Sequence, residues 1–406
     1  VIGLVVYPIL TRMYAPEDFG LLNLFLSIGG VLTLISIAEY QYAIVLPKEE
    51  KDAVSVFHVG IWALFCSTIC ISVSVIFSDS ISLLFKTPAL SDIYWLLPVY
   101  VFIMGLWNLL NYWYVRQQNF GTISVFQIFQ SVLSSGSKIV LGLMHILRTG
   151  MVYSVVLAPI ISIVCICVSG WRKIIPLLHF SWSNILKKAK EYKNFPLYVM
   201  PRGLLTTWGG NLPTLSLTPY YGLMEIGFFG MALPLSFRPI NIVCSSLYQI
   251  LYQKISERVN GNKSVLSLLG KFLLRIGSVT LLLFAVLYIV MPYIVSFLLG
   301  NEWIVVSDYI RIFLPWLFLV VLNTSLSFLP DVFSKQSIYL LFEIVYILLR
   351  LSALLIGVRA NSMHTALLLF SMIGALVLLV ELCWFIYMVV RYEKQREQVG
   401  DTSKQC

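Results

Sequence analysis

Long apolar runs alternate with short polar segments along the whole chain. Apart from the first, each run has about 18 residues or more, enough for an α-helix to cross a hydrocarbon core of about 30 Å. We therefore predict twelve membrane helices, the first of them cut short. They lie at 1–10, 20–38, 53–77, 93–112, 122–145, 150–170, 195–217, 226–250, 264–299, 305–329, 337–357 and 365–390.

The composition supports this interpretation. Hydrophobic residues make up 59% of the 406 residues and charged residues only 12%, whereas soluble domains have about 45–50% and about 25%. The net charge of +9 reports membrane topology in such a protein, so it does not indicate a nucleic-acid partner. The seven cysteines form no CxxC pair, and we expect neither a metal site nor a cofactor.

The first residues, Val1 to Leu10, form only half of a membrane span. We therefore expect about ten further residues and an initiator Met before Val1 in the full protein.

Lys and Arg are distributed unevenly between the loops. With the N-terminus placed in the cytoplasm, the predicted cytoplasmic segments hold 17 of them and the outer segments four. Since cytoplasmic loops carry the excess of bases, both termini are predicted to be cytoplasmic. The predicted organisation is an N-terminal lobe at 1–170, a basic amphipathic linker at 171–194, a C-terminal lobe at 195–390 and a tail at 391–406.

Two short stretches, 207 positions apart, look related. YAPEDFGLLNLFL at 14–26 aligns with YGLMEIGFFGMAL at 221–233, so that Gly20 corresponds to Gly227. The pairing predicts two six-helix lobes of the same orientation, a parallel repeat that is typical of transporters.

The N-terminal signature of Wzx-type polysaccharide flippases resembles the motifs PILTRMYAPEDFG and YAIVLPKEEKDA of this chain. The start of their second half resembles the later stretch KNFPLYVMPRGLLTTWGGNLPTLSL. These flippases belong to the multidrug/oligosaccharidyl-lipid/polysaccharide exporter superfamily. The resemblance implies a central cavity between two lobes, alternating access and a bacterial inner-membrane location. The implied cargo is an undecaprenyl-pyrophosphate-linked oligosaccharide for O-antigen, lipopolysaccharide or capsule. Membrane lipids and the polymerase or chain-length proteins of the pathway are the partners expected.

Seven bases lie within predicted spans: Lys138, Arg202, Arg238, Lys271, Arg275, Arg311 and Arg350. A charge in the bilayer is costly, so such residues usually face a bundle interior or water. A cationic cavity would attract a pyrophosphate, which arginine matches well. The predicted cargo-binding residues are Lys138, Arg202, Arg238, Arg275 and Arg350, with Arg12 at the first outer turn.

The helical spacing of polar residues indicates helix faces that line a water-filled cavity, each of which we call a wet wall. Arg238, Asn241, Ser245 and Gln249 share one face of the eighth helix, and Arg202, Thr206 and Gly209 share one of the seventh. The alternative is helix packing through small and polar residues.

The acids allow two interpretations. Glu343, Glu381 and Asp331 are candidates for ion coupling, because protonatable carboxylates in pumps often have this role. Alternatively, Glu343 and Arg350, two turns apart on the eleventh helix, form an ion-pair cluster with Glu381 on the twelfth that holds the last two helices together.

Two other functions compete with the flippase. A drug or metabolite antiporter of the same superfamily would have the same architecture. A membrane polymerase or ligase would be an enzyme with catalytic groups on a sizeable outer loop, whereas the longest predicted outer loop has about 15 residues. The predicted function is therefore transport, not catalysis.

Overall fold

The computed structural model describes residues 2–178 and 181–405, and within these ranges all regular structure is helical. Helices satisfy every internal backbone hydrogen bond within their own segment, as a hydrocarbon core requires. Nine helical segments of the described ranges are long and apolar enough to span a membrane. The prediction of an all-α polytopic membrane protein is confirmed.

The chain forms two compact units, Val1–Gly230 and Met231–Cys406. The long helices before the linker are α1 (Ile2–Leu10), α2 (Pro16–Ile37), α3 (Glu50–Ser74), α4 (Leu96–Arg116), α5 (Phe120–Leu143) and α6 (Leu147–Ser169). Short helices lie between them at Tyr40–Val45, Val75–Phe77, Ser78–Leu84 and Ala89–Tyr94.

The stretch Met200–Asn260 is helical throughout except at Gly222, where φ is 76° and ψ is −179°. This backbone conformation is essentially restricted to glycine. The parts on either side of the break are α7 (200–221) and α8 (223–260), and a π-helix at Phe195–Val199 precedes them.

The remaining long helices are α9 (Leu266–Leu299), α10 (Ile304–Leu326), α11 (Gln336–Arg359) and α12 (Met363–Gln405), with short helices at Asn301–Trp303 and Leu329–Val332. Each of the twelve predicted spans therefore overlaps one long helix of the described ranges. The run at 264–299 is a single helix, as predicted. The predicted lobe boundary at 171–194 stays a prediction, since the compact units divide within α8, whose first residues pack against α2.

The linker contains short helices at Trp171–Ile174 and Ile175–Leu178 and a ten-residue helix at Trp182–Glu191, which we call the linker helix. Residues 179–180 of the predicted linker lie outside the described ranges. The Nζ atom of Lys188 lies 2.7 Å from Asp52 Oδ2 on α3 and 2.9 Å from Glu191 Oε2. Hydrogen bonds to Asp52 and Glu191 raise the pKa of the Lys188 ammonium, and the linker helix is thereby fixed to α3.

Arg116, the last residue of α4, holds the loop between α2 and α3. Its Nη1 donates to the carbonyls of Ile44 at 3.2 Å and Pro47 at 2.6 Å, and its Nη2 donates to those of Lys48 and Glu49, both at 3.3 Å. A planar guanidinium can serve several acceptors at once, which the ammonium of lysine cannot do in the same geometry.

We predict that Arg116→Gln frees this loop while the helices stay folded. Hydrogen bonds from a charged donor contribute about 1.5–3 kcal/mol each, and losing only 1–2 kcal/mol of local stability raises the open population about 5–30-fold. Tryptic cleavage after Lys48, which is exposed, should accelerate accordingly in Arg116→Gln and less in Arg116→Lys. Lys254→Gln, on an exposed site of α8, is the control. Equal cleavage rates in all variants would contradict the role of Arg116.

Candidate functional site

Helices α2 and α8 begin against each other with their backbones in contact. A β-carbon at Gly20 would overlap the carbonyl oxygen of Leu223, and one at Gly227 would overlap that of Pro16. Only glycine allows two helices to approach this closely. We call this contact the outer crossing, because the predicted topology places it on the outer side.

The contacts of the outer crossing follow the 207-residue repeat. In the repeat, Pro16 corresponds to Leu223 and Gly20 to Gly227. Gly20 contacts Leu223 and Gly227 contacts Pro16, so the two contacts are the same with the helices exchanged. Asn23 lies against Gly230, its own counterpart. Such an exchange is the signature of a local two-fold axis. The contacts at the crossing therefore support the predicted equivalence of these two stretches.

The helix starts are also equivalent. Helix α2 begins at Pro16, after extended backbone at Ala15 with ψ of 160°, and α8 begins after the break at Gly222. The Asp18 carboxylate accepts a hydrogen bond from the Ala15 amide at 3.0 Å and caps α2. Asp18 is buried.

A cavity of about 470 Å³ adjoins the crossing. It is lined by Glu17, Asp18, Leu21, Leu147, Arg148 and Leu223. Arg148 at the start of α6 brings a base to two carboxylates. Sequence reasoning counted Arg148 only as an outer-loop base, because its distance from the acids in sequence hides their proximity.

The predicted cargo-binding bases are divided evenly between the two units. Arg12, Lys138 and Arg202 belong to the first unit, whereas Arg238, Arg275 and Arg350 belong to the second. The side chains of Arg12, Arg202, Arg238 and Arg275 are exposed, and no salt bridge engages any of these four among the described residues.

The polar face of α8 is exposed along its length. Arg238, Asn241, Ser245 and Gln249 all have exposed side chains. A stripe that served helix packing would be buried by a neighbouring helix. In the described structure the exposure therefore argues against helix packing for this stripe, and the wet wall stays a prediction.

Lys138 lies in a different setting on α5. Its side chain is half-buried, and its backbone carbonyl accepts a hydrogen bond from the Tyr14 hydroxyl at 2.7 Å. Gly142, one turn later, packs against Met13 and Tyr14. This part of α5 is therefore a packing surface for the first outer turn.

Arg350 on α11 is enclosed by aromatic rings. Its guanidinium carbon lies 3.5 Å from the ring centre of Phe370, 4.2 Å from that of Trp316 and 4.7 Å from that of Tyr346. Nη1 donates to the Tyr346 hydroxyl at 2.9 Å, and the indole of Trp316 donates to the same oxygen at 2.8 Å. Cation–π attraction at a desolvated site contributes roughly 2 kcal/mol or more.

The sequence left open an ion-pair cluster around Arg350, and the described structure does not show one. No salt bridge joins Arg350 to Glu343 within the described ranges, and Glu343 is exposed. The helices α10, α11 and α12 meet at Arg350, and each contributes one aromatic ring that contacts the guanidinium in place of a carboxylate. Only the spacing of Tyr346 and Arg350, one helical turn apart, could have indicated the cage from sequence.

The three acids differ in their surroundings. Glu381 on α12 is only 5% exposed, whereas the side chains of Glu343 and Asp331 are exposed. A fourth acid, Glu39, follows α2 and is also buried, at 4%. It accepts a hydrogen bond from Gln41, and a β-carbon at Gly203 would lie 2.6 Å from its Oε1.

The environment of Glu39 favours its neutral form. Burial raises the pKa of the Glu39 carboxyl, and the hydrogen bond from Gln41 partly offsets this rise. Glu39 and the preceding Ala38 both have positive φ, 59° and 48°, a conformation that costs non-glycine residues free energy. The sequence alone placed Glu39 only at the end of a span.

Comparison with solved structures shows where this fold occurs. The chain is similar to a multidrug resistance MATE family transporter of the MOP superfamily in an inward-facing conformation, with a TM-score of 0.73 and 13% identity over 97% of this chain and 95% of that one. It is also similar to a MATE protein in complex with MaD3S, with a TM-score of 0.53 and 14% identity over 97% and 94%. At these identities the similarity establishes the fold.

No curated protein matches the sequence. The polysaccharide biosynthesis protein family matches residues 9–308, about three quarters of the chain, including the outer crossing and the α7–α8 region with Arg202 and Arg238. The predicted family resemblance is thus confirmed: this multi-pass membrane protein, with the fold of the MOP superfamily, belongs to the polysaccharide biosynthesis protein family.

Proposed function

We propose that this protein is a flippase that moves undecaprenyl-pyrophosphate-linked oligosaccharide repeat units across the bacterial inner membrane by alternating access. The observation that carries the proposal is the set of exposed arginines on membrane helices, Arg202, Arg238 and Arg275, which have no salt-bridge partner among the described residues. Membership of a polysaccharide biosynthesis family supports a sugar-bearing cargo.

The chemistry of the cargo fits these side chains. A pyrophosphate presents several oxygens and at least two negative charges, and a guanidinium can bind two of the oxygens at once. The exposed stripe on α8 adds amide and hydroxyl groups of Asn241, Ser245 and Gln249 beside Arg238, which suit sugar hydroxyls. We rank these arginines above Lys138 and the enclosed Arg350, because a phosphate can reach them without rearrangement. We rank them above Arg12 because Arg12 lies in a turn beyond the end of α1 and not on a membrane helix.

The outer crossing supplies the closure that alternating access needs. Backbone contact at Gly20 and Gly227 joins α2 to α8, and the predicted topology puts this contact at the outer ends of both helices. We propose that the crossing closes the outer side while cargo enters from the inner leaflet, and that it parts to release cargo. The inward-facing state described for the similar MATE transporter supports this assignment.

For ion coupling we propose Glu381 first, ahead of Glu343 and Asp331. A carboxylate as buried as Glu381 strongly favours binding a proton or a cation. The exposed acids Glu343 and Asp331 are not enclosed by protein in this way and gain less from an ion.

The second candidate function is a drug or metabolite antiporter, favoured by the multidrug resistance transporter of similar fold. A deletion strain separates the two. If the proposal holds, the strain accumulates lipid-linked oligosaccharide on the cytoplasmic face and loses its surface glycan. Unchanged surface glycan together with reduced drug efflux would establish the antiporter instead.

We predict that Arg238→Ala lowers surface-glycan complementation about 10- to 100-fold, the equivalent of one or two charge-assisted hydrogen bonds. Arg238→Lys keeps the charge and should retain an intermediate level. Lys254→Ala, an exposed base farther along the same helix, is the matched control. Membrane levels are compared by immunoblot. Full complementation by Arg238→Ala would remove Arg238 from the cargo site.

We also predict that Gly20→Ala or Gly227→Ala opens the outer crossing, because each added methyl group would overlap a backbone carbonyl. A cysteine at position 23 in a cysteine-free background should then react faster with an impermeant maleimide added from outside. Gly136→Ala and Gly210→Ala are the controls, since nothing lies within 4 Å of a β-carbon at either position. Identical labelling in all four variants would show that the crossing is not the outer closure.

A further inference from the structure

One face of the linker helix packs against the rest of the protein. Ile185 and Lys188 are buried, Lys188 is held by Asp52 and Glu191, and the carbonyl of Ala189 accepts a hydrogen bond from the Tyr40 hydroxyl at 3.3 Å. These positions follow the i, i+3, i+4 spacing of a single helical face. The contacts fix which side of the helix points outward.

The outward side forms a surface of mixed character, which we call the linker surface: Trp182, Leu186, Lys187, Lys190 and Lys193. All five side chains are exposed, Trp182 to 50% and Leu186 to 51%. No salt bridge within the described part of the chain engages the three lysines. Trp182, Leu186 and Lys190 follow i, i+4 and i+8 on the linker helix, and Lys193 lies in the turn just after it, so the outward stripe passes from apolar to basic residues.

The position of this stripe relative to the bilayer follows from α3. The rings of Trp182 and Trp62 are in contact, with centroids 5.1 Å apart, whereas Lys188 pairs with Asp52. The two helices therefore run in opposite directions, and the residue that Trp182 contacts lies about 15 Å farther along α3 than the residue that Lys188 contacts, given 1.5 Å per residue. The apolar end of the stripe points toward the membrane and the basic end toward the cytoplasm.

The apolar end is continuous with the exposed apolar face of α3. Trp62, Phe65, Ile69 and Val73 are exposed at helical spacing along that face, as expected for side chains that contact lipid. Tryptophan prefers the boundary between headgroups and acyl chains. With the predicted topology, this places Trp182 and Leu186 at the boundary and Lys187, Lys190 and Lys193 nearer the lipid phosphates.

We propose that the linker surface is a binding site for anionic phospholipid of the inner leaflet, in which lipid phosphates contact Lys187, Lys190 and Lys193 and Trp182 and Leu186 enter the acyl boundary. The inference does not depend on the cargo. Charge complementarity decides the occupant, since each base near an anionic membrane surface adds about 1 kcal/mol of attraction. Lys188 is excluded from the lipid site because two carboxylates already neutralise it.

The test uses the full chain in nanodiscs of phosphatidylcholine with an increasing fraction of brominated phosphatidylglycerol or, in parallel, brominated phosphatidylcholine. Bromine quenches nearby tryptophan fluorescence, and subtraction of Trp182→Phe isolates the Trp182 signal. We expect the anionic lipid to quench Trp182 at a lower fraction than the neutral lipid. Lys190→Gln should raise the half-maximal fraction about fivefold, and the variant with Gln at 187, 190 and 193 should remove the preference.

The matched control carries Gln at 254, 263 and 335, three exposed lysines of other predicted cytoplasmic segments. It should keep the preference. An equal loss in both triple variants would overturn the site in favour of general attraction between the basic protein and the membrane. Suppression of the preference by millimolar inorganic phosphate at constant ionic strength would assign the lysines to soluble phosphate instead.

A measurement on the unmutated chain covers the case in which the triple variant does not fold. Raising NaCl from about 0.05 M to about 0.5 M shortens the Debye length from roughly 14 Å to roughly 4 Å. The preference of Trp182 for the anionic lipid should fall with it. A preference that is independent of salt would contradict a headgroup contact made by lysines.

Discussion

A hydrocarbon core offers no water to backbone amides, and this constraint shapes the whole chain. It demands helices, and helices of this length carry side chains to every depth of the membrane. Any charged residue within them must then find a local solution. Three of the buried or half-buried bases in the described ranges illustrate three different solutions.

Arg116 is placed at the end of α4, where free loop carbonyls accept its hydrogen bonds. Arg350 is enclosed by three aromatic rings without a carboxylate. Lys188 is neutralised by two acids on separate helices. Arg202, Arg238 and Arg275 receive none of these partners in the described structure and remain exposed. Bases with a structural role in this chain have partners within the protein. The exposed arginines differ from them in this respect, which supports their proposed role in cargo binding.

The repeat gives the fold its second organising feature. Two glycines 207 positions apart allow α2 and α8 to touch, and their contacts are exchanged in the manner of a two-fold axis. A contact made of backbone atoms has no flexible side chain that could relax. It is therefore suited to two discrete states, in contact or apart, rather than to gradual adjustment.

The sequence by itself determined the helices, because a membrane span needs only a long apolar run and its ends need only polar residues. It also determined the family, the register of the repeat and which residues carry charge. Only the tertiary structure decided how those charges are used. The rings around Arg350 come from three helices, Arg148 lines one cavity with Glu17 and Asp18 from more than a hundred positions away, and Glu39 is buried beside Gly203. Apolar runs are local in sequence, whereas the environment of a charge depends on which helices pack around it.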